Sequence, residues 1–224
     1  MSRLTYLLLD FGVIVGAVGL GAWRGSDWLR EWRRLVRTIL LVAIPFIAWD
    51  ISAVWRQHWA FNPDFTLGLN LAGLPLEKLL FFIAIPLISI ALWEVMPVRA
   101  EMGRWYRPLL WGVIAASALL FILNIGHEYS MWVSVIAAGT AGLWLISPQP
   151  IRQWVLWMSI MAGLFFVVNT VLTILPVVEY GGAHYSGVRM GSIPLEDFFY
   201  NFALTNLTIL AWLLASAKTA PGKV

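Results

Sequence analysis

The sequence predicts an all-α polytopic membrane protein: seven transmembrane helices, arranged as two parallel three-helix repeats plus one linking span. Three observations carry this. The chain is 60% hydrophobic with mean hydropathy +0.79 and only 12% charged, more apolar surface than a soluble domain of 224 residues can cover. Its apolar residues fall into runs of about the length a bilayer demands, roughly 17–25 residues. Finally, Leu74-Pro75-Leu76-Glu77-Lys78 returns 119 positions later as Ile193-Pro194-Leu195-Glu196-Asp197.

The runs are 4–22, 38–55, 75–94, 108–124, 131–147, 153–175 and 195–215. The first lacks a small-residue cleavage site ahead of a soluble domain, so it reads as a span and not as a removable leader. Many of the 14 tryptophans stand near the ends of runs, as at a membrane–water interface. Arg24, Arg30, Arg33, Arg34, Arg37, Arg99, Arg104, Arg107, Arg152, Lys218 and Lys223 fall on one side of the predicted membrane. Arg3, Arg56 and Arg189 fall on the other, and Lys78, at the start of a span, is left out of the count. The excess of positive loops marks the cytoplasm, which places the amino terminus outside and the carboxyl terminus inside. The net charge of +3 is therefore a property of loops between spans and gives no nucleic-acid signal. With no cysteine, disulfides and thiol chemistry are excluded.

The repeat divides the chain into spans one to three (1–95), a linker with span four (96–128), spans five to seven (129–217) and a tail (218–224). Two three-span units joined directly would be inverted. One intervening span makes them parallel, related by an axis along the membrane normal. Both Pro-Leu-Glu segments then lie on the outer side and face each other. Gly68 and Gly187, and Phe46 and Phe165, also correspond at the same offset.

The candidate site follows from the repeat. Pro75 and Pro194 suit a first helical position, which puts Glu77 and Glu196 in the first turn, where free amides favour a carboxylate. Capping is the competing reading for one copy alone. Against it, Asp50 precedes Pro75 by 25 residues and Asn169 precedes Pro194 by 25. Asp50 falls inside an apolar run, where an ionisable group is costly and a functional role is the default reading; a hydrogen bond to a neighbouring helix is the alternative. Asp10 lies in span one, equally readable as a site residue or as an interface residue. Phe81 and Phe82 follow the first glutamate, and Phe198, Phe199 and Tyr200 the second. Phe81 and Tyr200 are each four residues beyond a glutamate and share its helix face. Aromatic faces stabilise cations. An acid with aromatic walls suits protonation of an alkene, although for any single Phe a lipid-facing or packing role is the commoner one. His58, His127 and His184 lie one per outer loop. A metal site there would need three loops to converge, so no metal is expected. No nucleotide fingerprint and no Ser/His/Asp arrangement is present, and Leu195–Ala215 holds no lysine for a retinal Schiff base.

The doubled Pro-Leu-Glu-x-x-x-Phe-Phe/Tyr segment with its upstream polar residue resembles the small integral-membrane lycopene cyclases, in the fused form that joins two homologous subunits in one chain. Asp50, Trp55, Phe61, Pro63, Gly68, Pro75, Glu77, Phe81 and Phe82 fit the first half of the pattern. Asn169, Leu172, Gly187, Arg189, Pro194, Glu196, Asp197 and Phe198 fit the second. One departure stands out: the second acid of the family doublet is kept as Asp197 but replaced by Lys78 in the first half. A lysine interacting with Glu77 would favour its charged form and make it a base.

The resemblance implies a redox-neutral cyclisation of acyclic carotenoid ends to β-rings, needing no cofactor. Glu196, supported by Asp197 and Asn169, would be the acid, and Glu77 with Asp50 the base, or the reverse. It implies lycopene or a related acyclic carotenoid as substrate, the bilayer of a bacterial or archaeal cell as surroundings, and no nucleic acid. A second copy or other carotenoid enzymes are compatible neighbours. Hydration of the carotenoid end, and a non-catalytic carotenoid-binding or transport role, remain alternatives.

Overall fold

Each of the seven apolar runs forms a helix. The computed structural model describes residues 3–96, 106–147 and 151–217. The helices are α1 (Thr5–Arg24), α2 (Trp32–Trp55), α3 (Leu76–Val95), α4 (Arg107–Leu123), α5 (Glu128–Ile146), α6 (Ile151–Ile174) and α7 (Leu195–Ala217). Six are long and apolar enough to cross a membrane. The exception is α4, whose 17 residues reach about 25 Å, short of a hydrocarbon core of about 30 Å. Arg99, Arg104, Lys218, Lys223 and the tail 218–224 lie outside the described residues.

The largest boundary difference is at α2, which begins at Trp32, six residues before the apolar run. The added turns hold Arg33, Arg34 and Arg37. Arginine is a good helix former, and its long side chain keeps its charge in water beyond the apolar stretch. Arg34 bonds the backbone carbonyl of Trp212 through Nε (3.1 Å) and Nη2 (2.8 Å) and lies 3.4 Å over the indole ring. That contact fastens the start of α2 to the end of α7.

Short strands supplement the helices at the opposite end. These are β1 (Trp59–Phe61), β2 (Asn70–Leu71), β3 (Leu74–Pro75), β4 (Val178–Tyr180), β5 (Arg189–Met190) and β6 (Ile193–Pro194). A tight hairpin, β2–β3 or β5–β6, leads into each Pro-Leu-Glu helix. In the first, Ala72 and Gly73 carry positive φ (53° and 92°), as a two-residue hairpin turn requires.

β1 pairs antiparallel with β4, and the register is Trp59 to Tyr180, Ala60 to Glu179 and Phe61 to Val178. Ala60 and Glu179 are themselves 119 residues apart, so the ribbon is centred on a repeat-equivalent pair. The pairing brings the loops after α2 and after α6 together at the end of the bundle where both Pro-Leu-Glu helices begin.

Packing departs from this regularity at one place. α1 lies closely along α3, and α5 along α7. α2 packs closely against α7, yet its repeat counterpart α6 meets α3 at few points. The reason is visible in the facing residues. On α2, Trp49 stacks near Tyr200 (5.2 Å between ring centroids) and near Tyr129 (6.1 Å). The equivalent position on α6 is Val168, which is too small to fill the gap.

Candidate functional site

The space that Val168 leaves open is a cleft of about 770 Å³, counting the volume at its mouth. α6 supplies one wall with Met161, Leu164, Phe165, Val168, Asn169 and Leu172. Facing it are Lys78, Phe81 and Ile85 of α3, and Asp197, Tyr200 and Asn201 of α7. Trp59, Phe61, Val178 and Tyr180 of the β1–β4 ribbon close one end, with Tyr6 and Tyr129 beside them. The lining is mainly aromatic and aliphatic, with Lys78, Asn169, Asp197 and Asn201 as its charged and amide groups.

Asp197 is the carboxyl group in that lining. Its Oδ1 accepts a hydrogen bond from Tyr129 Oη at 2.7 Å. Its Oδ2 accepts from Asn169 Nδ2 at 2.9 Å and from Tyr180 Oη at 2.5 Å. Three helices and the ribbon therefore meet on one carboxyl. Burial pushes the Tyr180 phenol well above its ordinary value, and the Asp197 charge adds to this, so Tyr180 stays a hydroxyl donor.

The two glutamates are buried but do not line the cleft. Glu77 Oε1 accepts from the Leu67 amide at 2.6 Å. Glu196 Oε1 accepts from the Ser186 amide at 2.7 Å and from Ser130 Oγ at 2.5 Å. Leu67 and Ser186 are repeat equivalents, each ten residues before its glutamate. The carboxylates thus tether the incoming loops. In both, Oε2 is buried without a hydrogen-bond partner.

Lys78 forms its ion pair with Asp50 and not with Glu77, its neighbour in sequence. Neighbouring residues on a helix point about 100° apart, so the lysine turns the other way. Its Nζ lies 3.1 Å from Asp50 Oδ2. It also sits 4.4 Å over the Phe81 ring, 5.1 Å over Phe82 and 5.4 Å over Tyr200. Tyr200 Oη donates to Asp50 Oδ1 at 3.1 Å. Asp50 is fully buried behind this pair and does not touch the cleft.

Of the aromatic candidates, Phe81 and Tyr200 line the cleft. Phe82 is buried against Phe46, and Phe198 stacks edge-on against Phe165 at 5.1 Å. Phe199 packs against the main core. Asp10 is buried in α1, and its Oδ2 has no hydrogen-bond partner. Tyr6, Trp59, Tyr129 and Tyr180 escaped sequence reasoning. Tyr129 corresponds by the repeat offset to Asp10, and Tyr180 to Phe61, so position could have pointed to them where residue type did not. The histidines also behave differently from expectation: the loops of His58 and His184 do converge, beside Glu128, while His127 stays apart.

Over 65 residues, 28% of its length, the chain is 35% identical to a bifunctional lycopene cyclase/phytoene synthase of Colletotrichum graminicola. It spans about a tenth of that relative, whose matched portion is 11% of its length. No solved structure matches. The family model described as Lycopene cyclase matches residues 3–96 and 127–213, omitting the segment that contains α4. With both halves matched over most of the sequence, the chain belongs to the lycopene cyclase family.

Proposed function

We propose that this chain is a membrane-embedded enzyme that cyclises the open end of lycopene, or of a related acyclic carotenoid, to a β-ring. The observation that carries the reading is the cleft: an aromatic hollow holding a single carboxyl, Asp197, bonded to two phenols and an amide. A hydrocarbon offers no polar handle, so its recognition rests on apolar surface and ring faces.

The reaction needs one proton in and one proton out. A proton held in the Asp197–Tyr129–Tyr180 group adds to the terminal alkene, whose electron pair forms the new C–H bond. The tertiary cation left behind is attacked by the neighbouring alkene, which closes the six-membered ring. Loss of a ring proton to the same hydrogen-bonded group restores an alkene, and nothing is oxidised or reduced. The faces of Phe81, Phe165 and Tyr200 stabilise the cation before it collapses. Asp50 matters indirectly: it neutralises Lys78, which would otherwise place an uncompensated positive charge beside that cation. Glu77 and Glu196 hold the outer hairpins that shape the cleft, and Asn169 orients Asp197.

In this reading α4 is also a span, the fourth of seven, and 1–95 and 129–217 are parallel repeats, with the amino terminus outside. The symmetric β1–β4 register and the arginine-rich loops support that arrangement. The test is expression of the chain and of Asp197→Asn in a lycopene-accumulating bacterium, with pigment chromatography and mass measurement. The parent is expected to give a product of unchanged mass. Loss of the carboxyl is expected to lower its formation roughly 10²–10⁴-fold, the range of general acid–base catalysis. A product heavier by one water would replace cyclisation with hydration, and unaltered lycopene from a well-expressed parent would remove the enzymatic reading.

A further inference from the structure

We propose that His58, His184 and Glu128 bind one divalent transition-metal ion of the zinc class, at the end of the bundle above the cleft. The three side chains come from three segments: the loop after α2, the loop after β4, and the first turn of α5. Their ligand atoms all lie within 4.8 Å of one another. Two imidazoles and a carboxylate are a donor set suited to such an ion, with a water completing a tetrahedron.

Two features show that the cluster is built and not incidental. First, His58 is 2% exposed, and its Nδ1 is buried with no hydrogen-bond partner, while Nε2 meets Glu128 Oε2 at 3.0 Å. A buried polar atom left unpaired is costly, so an imidazole needs a reason to be held there. Second, the backbone around both histidines is fixed. The Gly181 amide donates to the His58 carbonyl at 2.8 Å, and the His184 amide to the Gly181 carbonyl at 3.1 Å. The Tyr129 amide donates to the His184 carbonyl at 2.9 Å. Gly181 is required for this approach, because a Cβ there would stand 2.1 Å from the Gln57 carbonyl oxygen.

The surroundings are compatible with a cation. Arg56 bonds Glu128 Oε2 at 2.8 Å and would serve as the outer partner that orients a ligating carboxylate. A hollow lined by Arg56, His58, Glu128 and Trp132 gives ions a way in. Donors around a tetrahedral ion stand about 3.4 Å apart, so the cluster must contract. His184 and Glu128 are only partly buried and have room to rotate.

The test uses the full chain purified in detergent, stripped with a chelator, exposed to excess Zn²⁺ and desalted. Elemental analysis is expected to find about one zinc per chain in the parent. His184→Ala and Glu128→Gln are expected to retain at least tenfold less, and His127→Ala, outside the cluster, as much as the parent. The unmodified protein titrated with Co²⁺ should show the intense visible absorption of a tetrahedral site, a readout independent of whether a variant folds. No retained zinc and no such absorption in the parent would overturn the proposal. So would equal zinc in the parent and in folded His184→Ala and Glu128→Gln.

Discussion

Lys78 Nζ lies 3.1 Å from Asp50 Oδ2 at the same two repeat positions where the second half joins Asn169 to Asp197 at 2.9 Å. The frame is shared and the chemistry is inverted: a buried ion pair on the α2–α3 side, an amide-supported carboxyl on the α6–α7 side. The Asp50–Lys78 pair offsets its own charge, and the carboxyl that lines the cleft is Asp197 of the second half.

Removing one member of that pair strands the other in an apolar interior. Lys78→Met is expected to destabilise the protein by about 3 kcal/mol. Asp50→Asn combined with Lys78→Met should recover at least half of that, because no charge is left unpaired. Unfolding in detergent for the two single variants and the double measures the coupling. Simple additivity of the two losses would contradict the pairing.

The cleft exists because Val168 stands where α2 has Trp49. Val168→Trp should fill it, since a tryptophan at the equivalent site already packs beside Tyr200. Ring formation is expected to fall at least ~10²-fold, as substrate positioning is lost. Size-exclusion behaviour and expression should stay near those of the parent. Parental cyclisation by a folded Val168→Trp protein would place the reaction elsewhere.

Glu77 and Glu196 each hold a loop amide, which a glutamine oxygen can also accept. Glu77→Gln and Glu196→Gln are therefore expected to melt within a few degrees of the parent. The alanine variants leave the amides of Leu67 and Ser186 without their acceptor, at a cost of about 1–3 kcal/mol each. Thermal unfolding of the four proteins checks this, and indistinguishable Gln and Ala variants would remove the tether.

The phenols around Asp197 should affect rate without being indispensable. Tyr129→Phe and Tyr180→Phe each delete one hydrogen bond that orients the Asp197 carboxyl, worth about 0.5–1.5 kcal/mol, or roughly twofold to tenfold in rate. Initial rates of product formation from lycopene measure the effect. The product should keep the substrate's mass in both variants.

The helices were legible because apolar runs of bilayer length have few other solutions. The start of α2 was not, because Trp32–Arg37 is helical without being apolar. Strands of two or three residues carry no periodicity, so the ribbon left no trace beyond the shared offset. The repeat pointed to Glu196-Asp197, but which acid reaches the cleft depends on the rotation of α7. Adjacent residues differ there by about 100°, a matter for packing and not for sequence. For the same reason, adjacency in sequence points Lys78 to Glu77, whereas the structure places its partner on α2. Tyr129 and Tyr180 went unnoticed because the first half places Asp10 and Phe61 at their positions. His58 and His184 are not repeat equivalents, so the duplication could not connect them.

Trp49 packs beside Tyr200 on one side of the bundle, whereas Val168 on the other leaves a cleft, so the two copies of the fold are unequal and the proposed reaction belongs to the chamber beside α6. Lycopene has two like ends, and under the proposed activity only one of them can occupy that chamber at a time. The half-finished molecule must withdraw and present its other end before a second ring can form. The one-ring carotenoid is then a free species in the membrane, exposed to any competing enzyme, and its early rise in a time course would record that exchange.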